Sequence, residues 1–204
     1  MGTDPLSTAP PPAAHPAPAP GIVRVLMVCT ANQCRSAMAA VIAQRATQAL
    51  GLPIVTESAG TLAVEGAEAT AKAVKAARSV GLDLSGHRSR PLTPTLLERA
   101  DLTLTMEPFQ ARKAILELGG SRSRVWPLLE MASVCRLIRP LHGGETFDDW
   151  LERAVAAKGP PDPTDRMYTV SDPTGRSTKL HRATIAELTD AIEGIVGSLR
   201  AAAG

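Results

Sequence analysis

Aromatic side chains are nearly absent from this chain: two Trp, two Phe and one Tyr make up 2% of its 204 residues. A surface that binds nucleic acid by stacking bases on rings is therefore not expected. The formal charge of +2 is likewise too small for the clustered Lys and Arg that such surfaces need. Cysteine is also scarce. Three cysteines, an odd number, with no apolar targeting segment in view, argue against the disulfide framework of a small secreted domain and suit a reducing cytoplasm. Charges interrupt every apolar region short of the roughly eighteen residues that a membrane span needs, so no membrane association is expected. What is present is 44% hydrophobic residues, enough for one good core and, at this length, for one soluble domain.

Residues 1–20 are dominated by Pro and Ala and have almost no large apolar side chain to offset the entropy of ordering, so they read as a disordered tail. Residues 22–28 are aliphatic or β-branched without polar alternation, as in a strand buried on both faces of a parallel sheet. After Arg35, apolar residues recur at helical spacing (Met38, Val41, Ile42, Ala46, Leu50) until Gly51 stops the helix. The alternation continues with a strand at 54–56, a helix at 67–80 and the helical TPTLLERA. A strand at 102–106, a helix at 110–118 and a closing helix at about 179–199 follow, the last with a stripe of Ile185, Leu188, Ile192, Ile195, Val196 and Leu199. Between Trp126 and Ser171 the pattern degrades, with one helix expected at about 147–157, so 127–170 reads as a long excursion. Strands alternating with helices predict an α/β class, a doubly wound open parallel sheet of about four strands flanked by helices, flavodoxin-like in outline.

Ligands of open parallel sheets bind beyond the carboxyl ends of the strands, and the loop from Cys29 to Arg35 occupies that place while opening a helix. Unpaired amides and the helix dipole favour an anion there, above all a phosphate. A cysteine in such a place is favoured as thiolate, its nucleophilic form. Cys29 therefore reads as a nucleophile and Arg35 as a planar fork for two phosphoryl oxygens. Thr30, Ala31, Asn32, Gln33, Cys34 and Ser36 are the candidate substrate-binding residues around them. Ser36 either caps the helix or bonds the thiolate, and Asn32 tolerates a left-handed backbone and can brace the loop through its amide. Cys29 and Cys34 lack the close second pair of a structural zinc site, so neither metal nor cofactor is expected.

VCTANQCRS resembles the nucleophile loop of the low-molecular-weight protein tyrosine phosphatases: a Cys, five residues, then Arg and Ser. The resemblance runs on through SAGT at 58–61, GLDLSGHRSR at 81–90, ADLTLTME at 100–107 and SDPTGR at 171–176, and covers most of residues 22–200. It implies a phosphotyrosine phosphatase I-like fold, with 21–204 as the phosphatase domain. It also implies a cysteine-dependent phosphomonoesterase that forms a phosphocysteine and acts on a phosphorylated protein or small phosphoester. The family's general acid is an Asp followed by Pro ahead of the final helix. Asp172-Pro173 matches, Asp162-Pro163 is a rival, and the plain alternative for either is a turn. In that role Asp172 protonates the leaving oxygen and then takes a proton from the attacking water, while loop amides and Arg35 stabilise the transferred charge without a metal. His87 matches a family position that supports the loop through hydrogen bonds. Cys34 is either a small buried residue at the helix start or, as the resemblance favours, a partner that captures oxidised Cys29 as a disulfide. Cys135 reads as a buried structural thiol.

Several family positions differ. Ala31 stands where Gly is usual, and strains the loop if a positive φ is needed there. Ala37 replaces a Pro. Thr174 and Gly175 replace aromatics, and LAVEGA at 62–67 lacks an aromatic rim residue. A phosphotyrosine ring would then have to pack on the 127–170 segment, with Phe147, Trp150 and Tyr168 as the candidates. Three other readings stay open: an arsenate reductase, a phosphoarginine phosphatase, and a non-catalytic or weakly active phosphate-binding module. The first needs a resolving thiol pair, and only Cys34 and Cys135 remain to supply it.

Overall fold

The apolar run forms the strand β1 (Val23–Cys29), with Leu26, Met27 and Val28 fully buried, in a computed structural model that describes residues 21–160 and 166–200. The tail at 1–20 and the Asp162-Pro163 pair lie outside the described residues. Beside β1 lie β2 (Ile54–Gly60) and β3 (Leu102–Thr105), and β4 (Val125–Pro127) completes the sheet in the order β2-β1-β3-β4 with every pair parallel. Register aligns Cys29 with Gly60 and Val28 with Thr105, so the carboxyl ends of the strands meet at one edge. Side chains of β1 alternate between two apolar clusters. Val25, Met27 and Cys29 face α1 (Arg35–Ala49), α2 (Ala71–Arg78) and later helices, whereas Leu26 and Val28 face α3 (Pro94–Arg99) and α4 (Pro108–Leu116). This is the expected doubly wound arrangement, and the apolar burial on both faces of β1 is what centres it.

Differences from expectation lie at the element ends and in the middle segment. β2 runs to Gly60 although Glu57 and Ser58 break the apolar pattern, because it is an edge strand with only partial burial. α2 begins at Ala71 rather than 67, where the Thr70 hydroxyl accepts from the Ala73 amide. α4 begins at Pro108 rather than 110, with Glu107 and Gln110 closing a capping box. Among the described residues, 127–170 hold two α-helices rather than one, α5 (Leu128–Cys135) and α6 (Phe147–Lys158), and a 3-10 turn at Arg166–Tyr168. The first was hidden because LLEMASVC is buried nearly all round and shows no polar face, its Glu130 held inside by Lys158 at 2.7 Å.

The last helix, α7 (Thr178–Leu199), starts where the Ser177 hydroxyl accepts from the Leu180 amide and buries the predicted stripe against α1, α2 and α5. Trp150 of α6 is fully buried, and its indole N–H donates to the Ser198 hydroxyl at 3.0 Å. Removing so large a buried ring leaves a cavity that a packed core cannot fully close. Trp150→Ala should therefore lower the unfolding free energy by about 3–5 kcal/mol in a denaturant titration, and a loss below about 1 kcal/mol would contradict this packing.

Candidate active site

The loop between β1 and α1 turns on Asn32, which among the described residues is the one non-glycine at positive φ, +55°. Asparagine adopts this left-handed geometry more readily than residues with larger apolar side chains, and here its contacts hold it in place. Its amide N–H donates to Cys29 Sγ at 3.2 Å. Its side-chain Nδ2 donates to the hydroxyls of Ser36 and Ser58, both at 2.9 Å, and its Oδ1 accepts from the Arg90 amide at 3.0 Å. The backbone carbonyl accepts from His87 Nε2 at 2.5 Å, which fixes that nitrogen as the protonated one. Ala31 is exposed and has a negative φ, so the strain feared at that position does not arise.

Ser36 does not cap the helix. α1 opens at Arg35 with Cys34 in the capping position and no side-chain cap, while Ser36 Oγ sits 3.0 Å from Cys29 Sγ. Ser36 accepts from Asn32, and its one proton has two acceptors in reach, Cys29 Sγ at 3.0 Å and Ala59 O at 3.4 Å; turned to the nearer sulfur, it would join the Asn32 N–H as a second donor to Sγ. Neighbouring segments take up the loop carbonyls: Thr61 N donates to Cys29 O, Leu62 N to Thr30 O, and Thr70 N to Gln33 O. The contact with β2 is so close that a Cβ on Gly60 would lie 2.5 Å from Thr30 O and 2.9 Å from Asn32 N. The glycine of SAGT is thus required by the approach of two backbones.

Arg35 is buried, and both of its terminal nitrogens are paired. Nη1 donates to Glu107 Oε1 at 2.5 Å and to Val170 O at 3.1 Å, and Nη2 to Asp172 Oδ2 at 3.0 Å. Asp172 also accepts from the Thr174 amide at 3.0 Å and keeps about half of its side chain exposed, 49%. The structure thus gathers Cys29, Asn32, Arg35, Ser36 and Asp172 in one place. Thr30 joins through its hydroxyl, which accepts from Gln110 Nε2 at 3.2 Å, whereas Gln33 contributes its backbone. Burial pushes the Cys34 thiol up to about 12, the charges of Asp172 and Cys29 add to the rise, and Arg35 and a hydrogen bond with Thr174 oppose it. At neutral pH Cys34 is therefore a thiol and a slow attacker on any oxidised Cys29.

The aromatic candidates are not at the cradle. Trp150 is core, and Phe147 packs on it with ring centroids 5.6 Å apart. Phe147 lines a recess with Val23, Leu52, Asp101 and Leu199 at the amino end of β1, away from Cys29. Tyr168 is engaged by Lys158, whose ammonium lies 4.0 Å from the ring centroid and 2.9 Å from the hydroxyl. Two residues of the site escaped the sequence reading, Glu107 and Gln110. Their signal is Glu-Pro-x-Gln, a capping box directly after a strand that pairs with β1.

Comparison with known proteins adds a family. The model of the low molecular weight phosphotyrosine protein phosphatases matches residues 24–153. A protein-arginine-phosphatase of Bacillus subtilis is 36% identical over 106 residues, covering 52% of this chain and 70% of that protein. A probable low molecular weight protein-tyrosine-phosphatase, EpsP of Ralstonia solanacearum, is 36% identical over 110 residues, covering 54% and 73%. Among solved structures, a low molecular weight protein tyrosine phosphatase from T. tengcongensis superposes with a TM-score of 0.67 at 28% identity, covering 87% of this chain and 99% of that one.

Two outcomes follow from the braced loop. Burial holds the His87 pKa below its ordinary 6.5, so as pH falls the unfolded chain takes up the proton first. The stability contributed by neutral His87 is present above pH 6.5 and lost as pH falls through the lower folded value. His87→Gln, which keeps a donor for Asn32, should flatten the acid-side decline in unfolding free energy, and equal slopes for both proteins would contradict this. Gly60→Ala should displace the nucleophile loop and lower phosphate affinity by about tenfold or more; an unchanged inhibition constant for phosphate would contradict the close approach.

Proposed function

The chain belongs to the low molecular weight phosphotyrosine protein phosphatase family and is a cysteine-based phosphatase acting on phosphorylated substrates, and from that premise we propose that Cys29, Arg35 and Asp172 carry the chemistry. The observation that supports this most directly is Cys29 Sγ receiving the Asn32 N–H at 3.2 Å and lying 3.0 Å from the Ser36 hydroxyl, beside a buried arginine. An incoming phosphate dianion takes the guanidinium fork in place of the Asp172 carboxylate, which takes a proton from solvent as it is released and faces the leaving oxygen as the acid. Sγ attacks phosphorus, the P–O bond breaks, and Asp172 gives its proton to the departing oxygen. Water then attacks the phosphocysteine and loses its proton to Asp172. The P–S bond breaks with its electron pair returning to Sγ, and inorganic phosphate leaves. Arg35 and the amides at the start of α1, which lack intrahelical partners, hold the charge of the transferring group.

The proposed substrate is protein phosphotyrosine. A phosphoarginine reading has its own support, because a relative at 36% identity is named a protein-arginine-phosphatase and the rim beside the cradle is aliphatic, with Leu62 and Val64 exposed. Relative kcat/KM on matched phosphotyrosine and phosphoarginine peptides decides between them. An arsenate reductase relay has less support. Cys135, the one thiol besides Cys34 that could join it, is buried with its pKa pushed up to about 12 and bonds Ser198 in the Trp150 core. All three cysteines are free, as a thiol nucleophile needs, and the proposed location is the cytoplasm.

Among the described residues no helix is long and apolar enough to cross a membrane. The test is a phosphatase assay across leaving groups. Cys29→Ser should abolish phosphate release. Asp172→Asn should cost about 10²–10⁴-fold with a poorly acidic leaving group and much less with a strongly acidic phenol. Turnover retained by Cys29→Ser would overturn the nucleophile, and a loss independent of leaving group would overturn the acid.

A further inference from the structure

Gln110 is fully buried in the first turn of α4, and both ends of its side-chain amide are used. Oε1 accepts from the backbone amides of Met106 at 3.0 Å and Glu107 at 3.1 Å. Nε2 donates to Thr30 Oγ1 and to Glu107 Oε1, each at 3.2 Å. Two amide donors at one end and a carboxylate at the other leave only one orientation of the group that satisfies all four contacts. Capping the helix requires the oxygen alone. The nitrogen does something else: it links the residue that follows the nucleophile Cys29 to the same carboxylate oxygen that receives Arg35 Nη1.

We propose that Gln110 is a positioning residue for the phosphatase reaction, holding Thr30 and the Glu107–Arg35 pair in one register so that nucleophile loop and phosphate fork face the same phosphorus. This rests on the reading of Cys29 and Arg35 given above. The physical reason is the depth of the site. Arg35 is buried, Glu107 is 23% exposed, and a carboxylate that loses a buried donor can swing toward water and take the guanidinium with it. Gln110 touches neither substrate nor reacting atoms, and its effect passes through Glu107 and Thr30.

The test pairs inhibition by inorganic phosphate, which reads the cradle without chemistry, with kcat/KM on an aryl phosphate, at a temperature where circular dichroism reports each variant folded. Gln110→Met keeps the bulk and removes all four bonds. We expect it to weaken phosphate inhibition and to lower kcat/KM by about tenfold each. In a Glu107→Gln background the same change should cost clearly less than in the parent, about threefold or below, because the charged route through Glu107 is already weakened and that through Thr30 remains. If Gln110→Met does not fold, Gln110→Glu keeps the oxygen that caps α4 while setting a carboxylate against that of Glu107, and the same losses are expected. Lowered thermal stability with phosphate inhibition and kcat/KM within about twofold of the parent would mean that Gln110 only caps the helix, and would overturn the proposal. Full additivity with Glu107→Gln would overturn it too. Cys29→Ser in the same series separates the two failures: if that variant is inactive while Gln110→Met behaves like the parent, the positioning proposal alone falls.

Discussion

Everything at this site depends on the left-handed turn at Asn32. A single residue at positive φ brings its own amide onto Cys29 Sγ while its side chain reaches Ser36, Ser58 and the Arg90 backbone. Those contacts come from α1, from β2 and from the segment after α2, so three parts of the chain share one buried amide. An unpaired polar group at such depth is costly, and satisfying every donor and acceptor of Asn32 is what makes the strained geometry the stable one. Gly60 and His87 belong to the same constraint, the first by leaving room and the second by holding the Asn32 carbonyl.

Arg35 poses a second, different requirement. A buried guanidinium must be paired, and here it is paired with two carboxylates and a carbonyl: Glu107 at the end of β3, Val170, and Asp172 in the loop before α7. Glu107 is built into a helix start and is fixed, whereas Asp172 is half exposed on a loop and can leave. In the mechanism we propose, that asymmetry lets a phosphate enter: the fixed carboxylate keeps the arginine aimed, and the movable one gives up its place and becomes available for proton transfer.

The sheet and the nucleophile loop were legible because both rest on local signals: an unbroken aliphatic strand, then Cys, five residues, Arg and Ser. α5 was not, because a helix buried on all sides has no polar face to set its period. The role of Ser36 was ambiguous for a related reason. A serine at a helix start is equally good as a cap or as a donor to a neighbour, and only the position of Sγ decides. Phe147, Trp150 and Tyr168 offer themselves as substrate walls because Thr174 and Gly175 replace the family's aromatics, yet Trp150 sits in the core, Phe147 beside it at the opposite end of β1, and Tyr168 against Lys158. Glu107 and Gln110 lie 72 and 80 residues from their partners Arg35 and Thr30, a proximity that exists only once β3 pairs with β1.

In the proposed reaction the sulfur held by Asn32 and Ser36 takes the phosphoryl group. The direct measurement is acid quench of the enzyme during turnover of an aryl phosphate, followed by mass spectrometry of the peptide that contains Cys29. The expected result is one added phosphoryl group on Cys29, formed no more slowly than phosphate is released. Phosphate release at full rate with no phosphoryl group on Cys29, or with one on another residue, would contradict it.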